Sequence, residues 1–213
     1  MTCAHCCDTN KFFDKKNAEK ELKKYVKSGP QGATKKLLGA LSTIDKNGKT
    51  LLDIGGGIGI IQWEFLKEQT ARTMDVDAAN GYLETAKSIS SEFGYSDKTS
   101  FIQQDFNDVA HTLGKYDFVT LDKVICCYPD YQKILLNATA KSDKYFALTF
   151  TISNILSRFL NTIGRLYFLI KKSEFKTYIH PSREVEQLIV NQGFKPFYKG
   201  ISFPWNVHVF ERI

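Results

Sequence analysis

The chain has 213 residues, of which 43% are hydrophobic and 24% charged, with a formal charge of +6. This length suits one domain with a substantial core, and the composition excludes a disordered, fibrous or membrane-embedded chain. Five cysteines fall in two clusters, Cys3-Ala4-His5-Cys6-Cys7 and Cys126-Cys127, and an odd count in adjacent pairs does not suit a secreted disulfide framework.

The first ten residues are polar and lack the apolar run of a signal peptide, so a cytoplasmic location is expected. CAHCC offers soft ligands, but no second pair stands at zinc spacing, and no metal is expected. Asp14 to Lys27 reads as a lysine-rich helix, striped by Leu22, Tyr25 and Val26 and stopped by Ser28-Gly29-Pro30. Ala33 to Ser42 reads as a second helix. Eleven lysines lie between Lys11 and Lys49 against Asp14, Glu19, Glu21 and Asp45. A solvated helical face accounts for them, and no arginine-rich tract or binding signature supports nucleic acid as a partner.

From Thr50 an alternation begins. Strands are expected at Thr50 to Ile54, Ala71 to Val76, Thr99 to Gln103, Asp117 to Leu121 and Lys144 to Thr149. Helices are expected at Ile58 to Lys67, Ala79 to Phe93, near Val109, and at Tyr131 to Thr139. Strands rich in Val, Ile and Leu, each followed by a helix, predict a doubly wound α/β fold with a mostly parallel sheet. Ser153 to Lys172 and Arg183 to Asn191 then read as helices, and Phe194 to Ile201 with Asn206 to Ile213 as an antiparallel C-terminal hairpin. Residues 1–213 are thus read as a single domain, with 1–48 as a helical cap and 151–182 as a helical insertion.

The stretch LLDIGGGIGIIQWEFL, from Leu51, places glycines between the first strand and its helix. A phosphate-binding P-loop requires a lysine after the glycines, and none follows before Lys67. A dinucleotide fingerprint requires a third glycine where Gln62 or Ile60 stands. What remains is Asp53-x-Gly55-x-Gly57-x-Gly59, a loop that lets backbone approach a ligand closely without presenting helix N–H groups to a pyrophosphate.

On these residues the chain resembles the class I S-adenosylmethionine-dependent methyltransferases, and on FFDKKNAEKELKKY and LDKVICCYPDYQKIL it resembles a small bacterial group distantly similar to magnesium-protoporphyrin O-methyltransferase. The resemblance covers about residues 50 to 150, and it implies a seven-stranded Rossmann-like methyltransferase fold with S-adenosyl-L-methionine as cofactor. It assigns Asp53, Gly55, Gly57 and Gly59 to the cofactor loop. Asp75, in TMDVDAANGYLETAK, takes the ribose hydroxyls, with Asp77 the weaker candidate. Asp105 takes the adenine amino group, and Phe106 lies against the ring. The segment FFDKKNAEKELKKY resembles one that closes over the cofactor, which brings in Phe12, Phe13 and Tyr25.

The exit of the fourth strand, LDKVICCYPD, lacks the Asn-Pro-Pro-Tyr type signature of enzymes that methylate amide or adenine nitrogen. Asp122, Lys123 and Tyr128 are candidates to orient cofactor or acceptor, with Cys126 and Cys127 read as packing. Tyr178 and His180 are the candidate base and hydrogen-bonding pair. The stripe in residues 153–172 reads as packing on the core, as a cover for a hydrophobic anionic molecule, or as a helix meeting a membrane surface. The expected activity is methyl transfer to a small apolar or aromatic molecule, with O-methylation favoured. RNA methylation through the basic helices and a non-catalytic cofactor-binding module are the alternatives.

Overall fold

The structure, a computed structural model, describes residues 13–154, 157, 162 and 176–213. The CAHCC cluster, Phe12 and most of the segment at 153–172 lie outside these residues.

The first helix, α1 (Lys15–Ser28), begins where Asp14 accepts a hydrogen bond from the backbone N–H of Asn17 at 2.8 Å. It ends at Gly29, whose φ of 65° reverses the chain. Helix α2 (Gly32–Leu41) buries Ala33, Leu37 and Leu41. The alternation then follows: β1 (Thr50–Ile54), α3 (Ile60–Lys67), β2 (Arg72–Val76), α4 (Asn80–Glu92) and β3 (Thr99–Ile102). After these come α5 (Phe106–Val109), β4 (Tyr116–Asp122), α6 (Tyr131–Ala140) and β5 (Ser142–Thr151). The chain finishes with α7 (Ser182–Asn191), β6 (Phe194–Ser202) and β7 (Trp205–Arg212).

The seven strands form one sheet in the order β3-β2-β1-β4-β5-β7-β6. β1 to β5 pair in parallel, and β7 pairs antiparallel with both β5 and β6. This is the expected doubly wound sheet with its antiparallel C-terminal hairpin. Successive residues of a strand point to opposite faces, so Leu51 joins Leu37, Phe65 and Val209 on one side. Leu52 joins Ile134, Phe146 and Ile189 on the other. A third cluster binds α1 and α4 to α3 around the wholly buried Trp63.

The order reverses between β1 and β4: the chain steps outward through β2 and β3, then returns to the other flank of β1. Helices leave on opposite faces there, which opens a crevice at the carboxyl ends of the strands. No helix among the described residues is long and apolar enough to cross a membrane.

Candidate functional site

A cavity of about 390 Å³ lies at this crevice. Asp53 and Gly55 to Gly57 contribute from the end of β1, Asp77 to Ala79 from beyond β2, and Gln104 and Asp105 from beyond β3. Asp122 and Lys123 close it from β4, and Phe13 and Glu21 cover it from the N-terminal segment.

Its floor is acidic. Asp53 is 1% exposed; Oδ1 accepts a 2.6 Å hydrogen bond from the Thr120 hydroxyl, while Oδ2 has no hydrogen-bond partner. Burial pushes its carboxyl up to about 7, with the charges of Asp122 and Asp77 adding and the Thr120 hydrogen bond opposing. Asp75 stands opposite Asp53 in the β1–β2 register and is wholly buried. It accepts hydrogen bonds from the Gln62 amide at 2.9 Å and the Gly56 N–H at 3.3 Å. Burial, then the charges of Asp77 and Asp53, hold its carboxyl well above the usual range.

Gly56 explains the middle of the three consecutive glycines. A Cβ there would stand 2.8 Å from Asp53 Oδ2 and 2.8 Å from Asp75 Oδ1, so the loop lies on the two carboxyls with no room for a side chain. Gly55 and Gly57 line the cavity with φ of 65° and 60°. Gly59 does not line it. With φ of 83° it starts α3, and a Cβ would meet the Trp63 ring at 2.5 Å, so its role is helix seating.

The acids of TMDVD divide differently from the sequence expectation. Asp75 is sealed beneath the loop and is not among the cavity-lining residues, whereas Asp77, just beyond the strand, is. Asp77 is held by the N–H groups of Gly57 at 3.0 Å and Ala79 at 2.7 Å. Asp105 lines the cavity, caps α5 through the Asn107 N–H at 2.8 Å, and accepts from the Tyr128 hydroxyl at 3.3 Å. Phe106 points away into the core at 1% exposure, since it opens a helix whose apolar side faces the sheet.

At the other end, Asp122 accepts from the hydroxyls of Thr34 and Thr149, each at 2.5 Å, and from the Lys123 ammonium at 3.2 Å. The same ammonium donates to Thr34 Oγ1 at 2.8 Å. Lys123 has φ of 63°, a conformation uncommon outside glycine and one that gathers at functional sites. Cys126 and Cys127 also line the cavity, with Tyr128, Thr177 and Trp205. The Cys127 thiol is pushed up by its hydrogen bond with Cys126 and by burial, so it is held as a thiol.

Tyr178 and His180 do not line this cavity. His180 is 7% exposed, its Nε2 donating 2.9 Å to the Ile125 carbonyl, and its ring lies 4.3 Å from that of Tyr131. Burial lowers its affinity for a proton, and it pins the segment after β4. The Tyr178 N–H donates to the Cys126 carbonyl at 2.7 Å, and the neighbouring Thr177 is the one that reaches the cavity.

On α1 the expectation shifts by one turn. Tyr25 is buried against α3, donating to Glu64 at 2.7 Å, and its phenol is pushed up to about 12 by burial and then by Glu64. Glu21, four residues earlier, lines the cavity. It faces Tyr82, whose phenol is raised by burial and then by the Glu21 charge and hydrogen bond. Phe13 also lines it, edge-on to Tyr82 with ring centres 5.5 Å apart.

Solved structures share this architecture. Magnesium protoporphyrin IX methyltransferase from Synechocystis PCC 6803, with bound SAH, matches with a TM-score of 0.69 at 18% identity, over 85% of this chain and 82% of that one. An O-methyltransferase family 2 protein from Planctomyces limnophilus, in complex with apigenin, gives 0.66 at 17%, over 93% and 62%. A putative RNA methyltransferase from Pyrococcus horikoshii gives 0.57 at 16%, over 85% and 81%. No curated protein matches the chain. The profile of the family described as methyltransferase domain matches residues 45–177. That is more than half of the chain, and it spans the glycine loop, the strand-end acids and the β4 exit. The chain therefore belongs to that family of methyltransferase domains.

Proposed function

We propose that this cavity transfers a methyl group from S-adenosylmethionine to an oxygen of a small apolar or aromatic molecule. The observation that carries the reading is the unpartnered Oδ2 of Asp53 beneath the side-chain-free Gly56. An orphaned buried carboxylate oxygen at a cavity floor suits the cofactor's ammonium. Asp77 accepts the ribose hydroxyls and Asp105 receives the adenine amino group, with Tyr128 fixing the orientation of Asp105. Phe13 and Glu21 shield the mouth from water.

The bound cofactor supplies a sulfonium methyl group for in-line displacement. The protein supplies alignment and desolvation, worth up to about 7–11 kcal/mol in a well-oriented pair. On the acceptor side the Lys123 ammonium, braced by Asp122 and Thr34, has a third N–H for an acceptor oxygen. No histidine is among the described residues that line the cavity. The arrangement therefore suits an oxygen nucleophile already ionised, such as a carboxylate or an acidic phenol, whose charge Lys123 stabilises. The whole chain works as one domain.

The test is calorimetric titration with S-adenosylmethionine and S-adenosylhomocysteine on wild type and Asp77→Asn, then transfer of a labelled methyl group to panels of carboxylic acids and phenols. A loss of about tenfold to a hundredfold in affinity for Asp77→Asn is expected, the worth of a hydrogen bond to a charged group. Undiminished binding in that variant removes Asp77 from the ribose site, and methyl transfer to nitrogen only removes the oxygen acceptor.

A further inference from the structure

Among the described residues, every charged group near the cavity floor but one is acidic. Asp53 comes from β1, Asp75 and Asp77 from β2 and beyond, Asp105 from after β3, Asp122 from β4 and Glu21 from α1. Lys123 is the exception, and its ammonium is engaged with Asp122 and Thr34. The remaining titratable neighbours, Tyr82, Tyr128, Cys126 and Cys127, are neutral when protonated.

Within this set Asp53 and Asp75 stand apart. They face each other in register, both are sealed from solvent, and one of their oxygens each flanks the position of a Gly56 Cβ at 2.8 Å. Two oxygens each that far from one point are separated by no more than twice that distance. Their other neighbours are neutral donors, namely the Thr120 hydroxyl, the Gln62 amide and the Gly56 N–H. No cation among the described residues reaches them, and two like charges that close in a dry site do not both ionise without one.

We propose that the protein, before it binds cofactor, stores a proton on the Asp53–Asp75 carboxyl pair, and that the cofactor's ammonium group replaces it. This rests on the cofactor reading above. Of the pair, Asp53 is the residue that lines the cavity, and its Oδ2 has no hydrogen-bond partner, so an incoming cation meets the pair at Asp53. The arriving positive charge stabilises both carboxylates, and the proton leaves to solvent. Cofactor binding is then coupled to pH. Acid weakens it, because the cation must compete with the proton for one pair of carboxyls. The product cofactor, which keeps the ammonium but lacks the sulfonium charge, displaces the proton too.

The experiment titrates the full chain with S-adenosylmethionine and with S-adenosylhomocysteine at about pH 6 and about pH 7, in buffers of different ionisation enthalpy. At both values the ligand's own amine stays mostly protonated. Wild type is expected to release close to one proton per ligand at the lower pH and fewer at the higher. Affinity should be roughly fivefold tighter at the higher pH, the change in competent fraction for one group titrating near neutrality. Asp53→Asn should release none, with a flat pH dependence. Binding by wild type with no buffer dependence overturns the stored proton while leaving the cofactor site standing. That measurement decides the matter even where the variant does not fold. Binding of neither ligand at either pH overturns the cofactor reading and this inference together.

Discussion

Gln62 and Asp75 are joined by a 2.9 Å hydrogen bond between two side chains that solvent does not reach. Gln62 also accepts from the Thr73 hydroxyl at 3.0 Å, so its amide is spent entirely inside the protein. It stands where a dinucleotide-binding loop would carry a glycine. Here the space between the first helix of the alternation and the sheet is filled by an amide that holds an acid under the loop. Gln62→Leu keeps the approximate volume and leaves Asp75 Oδ2 without its donor. A loss of about 1–3 kcal/mol is expected, the cost of an unsatisfied buried polar group, read as a lower urea midpoint. An unchanged midpoint would mean that Asp75 finds another donor.

Gly56→Ala tests the cradle. Gly56 does not have a positive φ, so the backbone tolerates alanine and only the new methyl group matters. It meets both carboxyls at 2.8 Å. The loop must rise, costing about 1–3 kcal/mol as overpacking does. The rise in thermal midpoint given by excess S-adenosylhomocysteine should shrink as well. A variant with wild-type stability and wild-type ligand response would show that the loop has slack.

Lys46 is a buried lysine with a structural task. Its side chain is 1% exposed and donates to the carbonyls of Leu41 and Ile44 and to Glu68, at 2.8, 3.1 and 2.8 Å. It therefore closes the carboxyl end of α2, where a cation also suits the helix dipole. Lys46→Met retains the aliphatic stem but removes all three bonds. We expect a loss of about 1–3 kcal/mol in urea unfolding, with cofactor affinity of the folded protein unchanged.

The pH dependence of stability follows from groups of opposite sign. Asp53 has its folded value raised from 3.8 to about 7. The folded state thus holds that proton more tightly, and the stability it contributes in acid is lost as pH rises through about 7. His208, buried against Phe150 and Phe210, is lowered from 6.5 to about 4 by burial and then by Lys199. Its stability is present above 6.5 and is lost as pH falls toward about 4. In the ligand-free wild type the two oppose each other in mild acid. Asp53→Asn removes one, so the variant should be more stable than wild type at about pH 8 and lose stability more steeply below about pH 6.5. Parallel profiles of denaturant midpoint against pH would refute this.

The β1 strand was legible residue for residue, Thr50 to Ile54, because a short apolar run bounded by a turn and glycines has few other readings. The doubly wound order followed from alternation. Within the site, Asp53, Gly55, Gly57, Asp105, Asp122, Tyr128 and Phe13 do line the cavity. Asp75 lies in β2 and Asp77 just beyond its end, two residues on. Which one is roofed by the loop depends on the β1–β2 register, and that is a long-range property. Tyr25 and Glu21 share a helix face, and only the seat of α1 on α4 decides which reaches the cavity. Phe106 and His180 were drawn inward by burial that local pattern does not encode. Lys123 and Thr34 meet through a 2.8 Å hydrogen bond across distant parts of the chain, which no local pattern announces.

Gly81 sits in the first turns of α4, and a Cβ there would strike the backbone N of Lys15 at 2.5 Å. The start of α1 rests in that notch, backbone against helix, and the partners lie sixty-six positions apart (81 − 15). Chains emerge from the ribosome amino end first. Helix α1 cannot dock in this notch until this glycine and the rest of α4 have been made. The wall that Phe13 and Glu21 give the cavity is thus made before the floor and installed only after that floor exists.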